Sequence, residues 1–171
     1  MKLVVFTLKD REYAIDVAQV REVIRTTEIL PLPDVPFWIE GIINLRGDII
    51  PILSLKRKLG IETETQSPMN RVIIAHRQQR CFGILVDNVT GVVNISKKEL
   101  NIPDEILSES GTIHAVAKIK DRMIPLLDLY NLLTDHDTQT ISQASHQHPI
   151  AMGAEESKSL VQEPIEEGSI S

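Results

Sequence analysis

Short apolar runs separated by polar turns extend along most of the chain. The runs are rich in Val, Ile and Leu, and the segments between them carry charged residues, Gly or Asn. β-Branched side chains in runs of this length, bounded by turn residues, are typical of β-strands. The pattern predicts ten strands, at 3–8, 12–17, 21–26, 40–45, 48–53, 71–76, 81–86, 89–95, 114–120 and 122–127.

The arrangement of apolar and polar positions occurs twice. Residues 13–24 align without gaps on residues 82–93, and residues 46–59 align on residues 120–133. The two offsets, 69 and 74, are nearly equal, and the blocks follow in the same order. Two matches in one order indicate an internal duplication. Two sets of about five strands each favour an all-β fold made of two small antiparallel barrels.

Each repeat also continues beyond its last strand in the same way. Pro51 and Pro125 occupy equivalent positions, and both are predicted at a strand end or edge because proline donates no hydrogen bond to a sheet. A short helix is predicted after each of these strands. Ser54 begins the first helix, which ends at Gly60, and Asp128 caps the second.

Charge separates a folded body from a tail. The chain has 171 residues, 42% of them apolar, and a formal net charge of −6. Residues 1–136 carry 17 Lys and Arg against 18 Asp and Glu, whereas residues 137–171 carry one Lys and six acids. The near-neutral body lacks the basic surface by which proteins bind nucleic acids or anionic membranes. We therefore predict one domain at 1–136 and an acidic, disordered tail at 137–171.

The sequence predicts no catalytic, cofactor or metal site. The single cysteine, Cys81, lies in an apolar run and is expected to be a small buried residue. His146 and His148 lie in the predicted tail without the further ligands that a metal site requires. The chain has no phosphate-binding glycine loop and no nucleophile motif around Ser54. It has no export signal and no apolar run of about 18 residues, which predicts a cytosolic protein without membrane insertion.

One arginine interrupts the strand pair in the stretch GIINLRGDIIPILSL, residues 41–55. Arg46 lies at the predicted turn of this pair. Arginine offers five donors in a planar fork and is enriched at protein interfaces, so it suits a partner's carboxylates or carbonyls. It also suits a neighbouring group of the chain itself, such as Asp48 or a backbone carbonyl. The residues alone leave both interpretations open.

The same stretch carries a family resemblance. The chain resembles the CheW family of bacterial chemotaxis coupling proteins over about residues 3–135. The family's Gly-x-x-Asn-Leu-Arg-Gly-x-x-x-Pro signature is matched by Gly41, Asn44, Leu45, Arg46, Gly47 and Pro51. Residues 6–25 resemble the family's opening, and residues 83–93 resemble its central block. Ser54 departs from the family pattern, which commonly has Asp at that position.

The resemblance implies a fold and a set of partners. The fold is two intertwined five-stranded β-barrels related by a pseudo-twofold. The function is that of a non-enzymatic signalling adaptor without cofactors, located in the cytoplasm at membrane-associated arrays. The implied partners are the cytoplasmic tip of methyl-accepting chemoreceptors and the regulatory domain of a CheA-like histidine kinase.

The resemblance also implies site residues. Receptor contacts carry over to Val20, Glu22 and Arg46, where Arg46 either binds the receptor tip or forms a buried ion pair with Glu22. Gly47 is expected to let the turn adopt a conformation that a Cβ would hinder. The kinase contact is expected in exposed apolar positions around Val86, Asp87 and Val89.

Two alternatives to chemotaxis remain. The same adaptor role occurs in pathways that control twitching motility by type IV pili, or phototaxis. A small-barrel module that binds a ligand or nucleic acid is the more remote hypothesis. It is disfavoured because only 4% of the residues are aromatic and no basic stripe is present.

Overall fold

Strands make up most of the described structure, with short helices between and after them. The computed structural model describes residues 1–61, 70–102 and 112–133, together with 136, 137, 139, 140 and 143. The elements are β1 (Lys2–Leu8), β2 (Arg11–Asp16), β3 (Val20–Arg25), β4 (Ile39–Leu45), β5 (Asp48–Ser54), α1 (Leu55–Lys58), β6 (Arg71–Arg77), β7 (Arg80–Val86), β8 (Asn88–Asn94), β9 (Leu100–Asn101), β10 (Ile113–Ile119), β11 (Arg122–Leu127) and α2 (Leu129–Leu132). The ten predicted strands are confirmed to within one residue at each end, and the two-residue β9 is an addition to them.

The strands form two sheets with the same internal order. The first sheet runs β8-β1-β2-β11-β10-β9 and the second runs β3-β6-β7-β5-β4. Each has one parallel strand pair, in which Leu126 meets Ala14 in the first sheet and Ile52 meets Gly83 in the second. The offsets of 69 and 74 relate Ala14 to Gly83 and Ile52 to Leu126. The duplicated sequence therefore folds into a duplicated topology, in which each sheet combines strands from both repeats.

Strands that are apolar throughout bury both of their faces. Leu3 and Val5 of β1 belong to a core cluster of the first sheet, whereas Val4 and Phe6 belong to a central cluster that also contains Ile73 of β6. Successive side chains of a strand point to opposite faces. Alternate residues of β1 therefore fill the first sheet's own core and the core shared by the two sheets. The edge strands β3 and β8 instead alternate between exposed and half-buried positions over most of their length.

The two equivalent prolines lie inside their strands, so the prediction of a strand end or edge was wrong. Pro51 is in the middle of β5 and Pro125 is in β11, and both strands have a neighbour on each side. The parallel ladders begin one residue later, at Ile52 and at Leu126. A proline is tolerated at these two positions because the neighbouring parallel strand starts to pair only beyond it.

The helix termini agree with the prediction. The Ser54 hydroxyl accepts the backbone N–H of Arg57 at 3.2 Å, and Gly60 follows α1 with a φ of +75°. Asp128 precedes α2, where its carbonyl accepts the N–H of Asn131 at 3.1 Å and its carboxylate accepts the Asn131 amide, also at 3.1 Å. The serine thus caps its helix although the family commonly has an aspartate there.

Replacing Ser54 by alanine is expected to lower the free energy of unfolding by about 1 kcal/mol, the usual effect of removing an N-cap oxygen. The hydroxyl is buried, so water does not replace it as an acceptor for Arg57. Ser54→Asp keeps an acceptor at the helix N-terminus and is expected to retain more of the stability. Urea unfolding of both variants checks this, and equal losses would contradict the capping role.

The chain beyond α2 begins against the second sheet. Lys58 of α1 lies over the Trp38 ring, 4.5 Å from its centroid, and its ammonium is 2.9 Å from the Asp137 carboxylate. The predicted disordered tail at 137–171 falls mostly outside the described residues. Within the described part, no helix is long and apolar enough to cross a membrane.

Candidate functional site

Arg46 is displayed at a two-residue turn between β4 and β5. Leu45 pairs with Asp48, and the two residues between them, Arg46 and Gly47, have φ values of +51° and +92°. Positive φ at both central residues is typical of the type I′ turn, which matches the twist of a β-hairpin. The Asn44 side chain accepts the backbone N–H of Gly47 at 2.9 Å. Gly47 thus has a backbone conformation that residues with a Cβ rarely adopt, and Asn44 stabilises the same turn.

The Arg46 guanidinium pairs with Glu22 of β3. β3 and β4 are the two opposite edges of the second sheet, so this ion pair joins edges that are far apart in strand order. The Arg46 side chain is 61% exposed and that of Glu22 is 27% exposed. The pair therefore lies at the surface. The ion pair with Glu22 that the resemblance implied is present, but its predicted burial was wrong.

Val20 lies two residues before Glu22 on the same strand. It is half-buried against the central core and pairs with Ala75 of β6. Between them, Arg21 points outward, and its Nη1 lies 3.4 Å from the Cys81 sulfur. This hydrogen bond raises the pKa of the Arg21 guanidinium. Cys81 is half-buried and contacts a charged group at the surface, so its predicted full burial was wrong.

Gly41 lets the segment before β4 lie directly on that strand. Leu30 and Ile42 exchange two backbone hydrogen bonds of 2.9 Å, one in each direction. A Cβ on Gly41 would lie 2.1 Å from the Leu30 carbonyl oxygen, and the residue has a φ of +150°. Gly41 therefore fixes the backbone of the strand that leads to Arg46.

Three positions of the signature that surrounds Arg46 thus have a structural reason, namely the close approach at Gly41 and the turn residues Asn44 and Gly47. The family model of the CheW-like domain matches residues 2–137. The chain belongs to the CheW-like domain family. The resemblance found in the sequence is confirmed, and with it the all-β fold of two sheets.

Individual relatives of this family agree with the match. The chemotaxis protein CheW of Thermotoga maritima is 33% identical over 133 residues, which cover 76% of this chain and 85% of that protein. The crystal structure of the scaffolding protein TtCheW from Thermoanaerobacter tengcongensis superposes with a TM-score of 0.74 at 34% identity. The superposition covers 80% of this chain and 94% of the TtCheW chain. Protein PilI of Pseudomonas aeruginosa is 30% identical over 87 residues, about half of each chain.

The predicted kinase-facing segment is largely internal in this member of the CheW-like family. Val86 is 0% exposed and belongs to the central core, so its side chain does not reach a partner and that prediction was wrong. Val89 is half-buried and packs on the same core. A continuous apolar strand gave no signal to distinguish a buried position from an exposed one.

Asp87, next to Val86, holds two other elements in place. Its Oδ1 lies 2.6 Å from the Lys56 ammonium of α1, and its Oδ2 accepts the backbone N–H of Lys9 in the β1–β2 turn at 2.6 Å. Both side chains of the ion pair are mostly buried, with 16% of Asp87 and 12% of Lys56 exposed. Asp87 therefore links the first sheet to α1 of the second.

Replacing Asp87 by alanine is expected to lower the free energy of unfolding by about 1.5 kcal/mol, because Lys56 and the Lys9 N–H lose a charged acceptor. Chemical denaturation measures this loss, and Asp121→Ala in the exposed β10–β11 turn is the control. Unchanged stability together with weaker kinase binding would instead place Asp87 in an interface.

Two features of the surface had no counterpart in the sequence analysis. Phe37, Val92 and Met123 are 71%, 60% and 70% exposed, although they are apolar. His76 and His114 come from different sheets and line one cleft. Among the described residues, no three His, Cys, Asp or Glu side chains are grouped closely enough to hold a metal ion.

Proposed function

We propose that the chain is a non-enzymatic adaptor that couples methyl-accepting chemoreceptors to a CheA-type histidine kinase. The observation that carries the proposal is an exposed arginine at the tip of a rigid hairpin, within a family match that spans residues 2–137. The names of the relatives, a chemotaxis protein and a scaffolding protein, support an adaptor role. The site of action is the cytoplasmic face of a membrane-associated receptor array.

The receptor contact is Arg46 with its neighbours Glu22 and Val20. A surface ion pair contributes about 0–1 kcal/mol to the stability of the fold, so a partner can displace Glu22 from Arg46 at little cost. The freed guanidinium offers a planar fork to a carboxylate or to carbonyl oxygens at the end of a receptor helix. Val20 is partly exposed beside it and adds apolar area. Arginine is one of the residues that are enriched at interface hot spots.

The kinase contact lies elsewhere on the chain. Because Val86 is internal, we assign this contact to the side of β8, an edge strand that pairs only with β1 within the first sheet. Val92 on β8 is 60% exposed and supplies an apolar side chain there. Asp87 and Val89 flank this surface.

A calorimetric titration against the regulatory domain of a CheA-type kinase from the same genome tests the function. Transient signalling interfaces are modest in area, so we expect a dissociation constant on the order of micromolar, which corresponds to a binding free energy of about 8 kcal/mol. Arg46→Ala is expected to bind this domain as the wild type does, since Arg46 belongs to the receptor side. A folded wild type that binds no such domain would overturn the proposal.

A second candidate is the same adaptor role in a pathway that controls type IV pili. The match to Protein PilI supports it, although that match covers only 51% of the chain. The matches to chemotaxis proteins are longer and favour the first candidate. Neighbouring genes distinguish the two, because pilus genes or flagellar genes would accompany the respective pathway.

A further inference from the structure

An open cleft lies where β2 of the first sheet leads into β3 of the second. Its volume is about 340 Å³, within the size range of small-molecule and side-chain pockets. It is lined by residues of both sheets, among them Asp16, Gln19, His76, His114, Leu126 and Asp128. More of its lining surface is apolar than polar.

The charged side chains of the cleft are two carboxylates, which line it together with two imidazoles, and none of its lining residues is Lys or Arg. Met1 also lines the cleft, and its ammonium donates to the Ile95 carbonyl at 3.2 Å. Asp16 accepts the backbone N–H of Ala18 at 2.9 Å, and Asp128 accepts the side-chain amide of Asn131 at 3.1 Å. The His114 Nδ1 lies 4.0 Å from the Asp128 carboxylate. These hydrogen bonds hold both carboxylates in place at the cleft.

The cleft adjoins the proposed receptor contact. Ala18 and Gln19, which line it, directly precede Val20 in the chain. On the neighbouring strand β6, His76 follows Ala75, the residue that pairs with Val20. The cleft therefore lies next to the Val20 end of the proposed receptor contact.

We propose that the cleft binds the side chain of a lysine or arginine carried by the receptor segment, an inference that rests on the proposed function. The aliphatic stem of such a side chain packs on Leu126 and Ala18, while its cationic head pairs with the carboxylates of Asp16 and Asp128. The cleft thus presents the charge opposite to that of Arg46, so the bound segment is recognised by an acidic group at one place and a basic group at another.

The first experiment uses small probes that reproduce only the side chain. n-Butylguanidinium has an aliphatic stem and a cation, and n-butylurea has the same shape without the charge. We expect n-butylguanidinium to shift the amide NMR signals of Gln19, His114 and Leu126, and n-butylurea to leave them unchanged. The double variant Asp16→Asn/Asp128→Asn retains oxygen acceptors for both hydrogen bonds, and we expect it to lose the shifts. Equal shifts with both probes, or in the variant, would overturn the proposal.

The second experiment measures binding of the full chain to the cytoplasmic tip fragment of a receptor from the same genome. The double variant is expected to bind about tenfold more weakly than the wild type, and the control Asp121→Asn to bind equally well. Thermal unfolding near that of the wild type shows that the variant is folded. Equal binding by the double variant overturns the cleft inference and leaves the proposed function intact. A wild type that does not bind the receptor overturns both the proposed function and the receptor as the occupant.

Discussion

Replacing Gly41 by alanine is expected to lower the free energy of unfolding by about 4 kcal/mol, the combined magnitude of backbone strain and overpacking. The new Cβ would lie 2.1 Å from the carbonyl oxygen of Leu30 and 2.7 Å from its carbonyl carbon. These are backbone atoms, and they are held by two hydrogen bonds to Ile42, so no side-chain rotation relieves the clash. The φ of +150° adds strain for any residue that has a Cβ.

Urea unfolding measures this loss, and Gly60→Ala is the matched control. Gly60 also has a positive φ, +75°, but a Cβ there would have no neighbour within 4 Å. Only the backbone strain of a positive φ remains, so Gly60→Ala is expected to lower the free energy of unfolding by about 1 kcal/mol. Equal losses in the two variants would contradict the close approach at Leu30. A large loss at Gly41 alone would show that the close approach to Leu30, together with the φ of +150°, requires glycine there.

The effect of Gly41 on the site is indirect. The bridge between Leu30 and Ile42 fixes the path of β4, and the turn at the end of β4 carries Arg46. Val20 and Glu22 lie on β3, from which the chain leads through Leu30 to that bridge. A displaced β4 would therefore separate Arg46 from Glu22 without any change in either side chain.

The strands and their duplication could be predicted because both depend on local pattern. A strand that buries both faces gives a continuous apolar run, and one that buries a single face gives an alternating run, so either kind is visible in the sequence. The equivalence of Ala14 with Gly83 and of Leu126 with Ile52 followed from two nearly equal offsets. The structure confirms it as two equivalent parallel contacts.

The local pattern did not predict the contacts of the site, because they join residues that are far apart in strand order, and the pairing of Arg46 with Glu22 was expected from the family resemblance alone. Glu22 meets Arg46 only when the two edges of the second sheet approach each other. Val86 is buried because a strand of the first sheet covers its face, and an apolar run does not show which faces are covered. The cleft combines His76 with His114, two histidines from different sheets. Each of these features depends on how the sheets pack.

Arg46→Ala is expected to leave folding nearly unchanged and to weaken receptor binding by about 2 kcal/mol, roughly thirtyfold, the magnitude of an interface hot spot. The ion pair with Glu22 is at the surface, where such pairs contribute about 0–1 kcal/mol to folding. The turn is also unaffected, since alanine and arginine both carry a Cβ and experience the same strain at a φ of +51°. Thermal unfolding and a titration with the receptor tip fragment measure the two effects separately.

Arg122→Ala provides a control of the same kind in the other sheet. Arg122 pairs with Glu12 at 2.8 Å, and its side chain is 50% exposed, so the variant loses an ion pair that is also at the surface. We expect it to bind the receptor fragment as the wild type does, because Arg122 belongs neither to the Arg46 surface nor to the lining of the cleft. A similar loss in both variants would indicate a general charge effect. A fall of about 3 kcal/mol in the free energy of unfolding for Arg46→Ala would instead mark Arg46 as a structural ion.

A double-mutant cycle combines Glu22→Gln with Arg46→Ala. We expect the two substitutions to show stronger coupling in receptor binding than in folding, because the partner engages both residues at once.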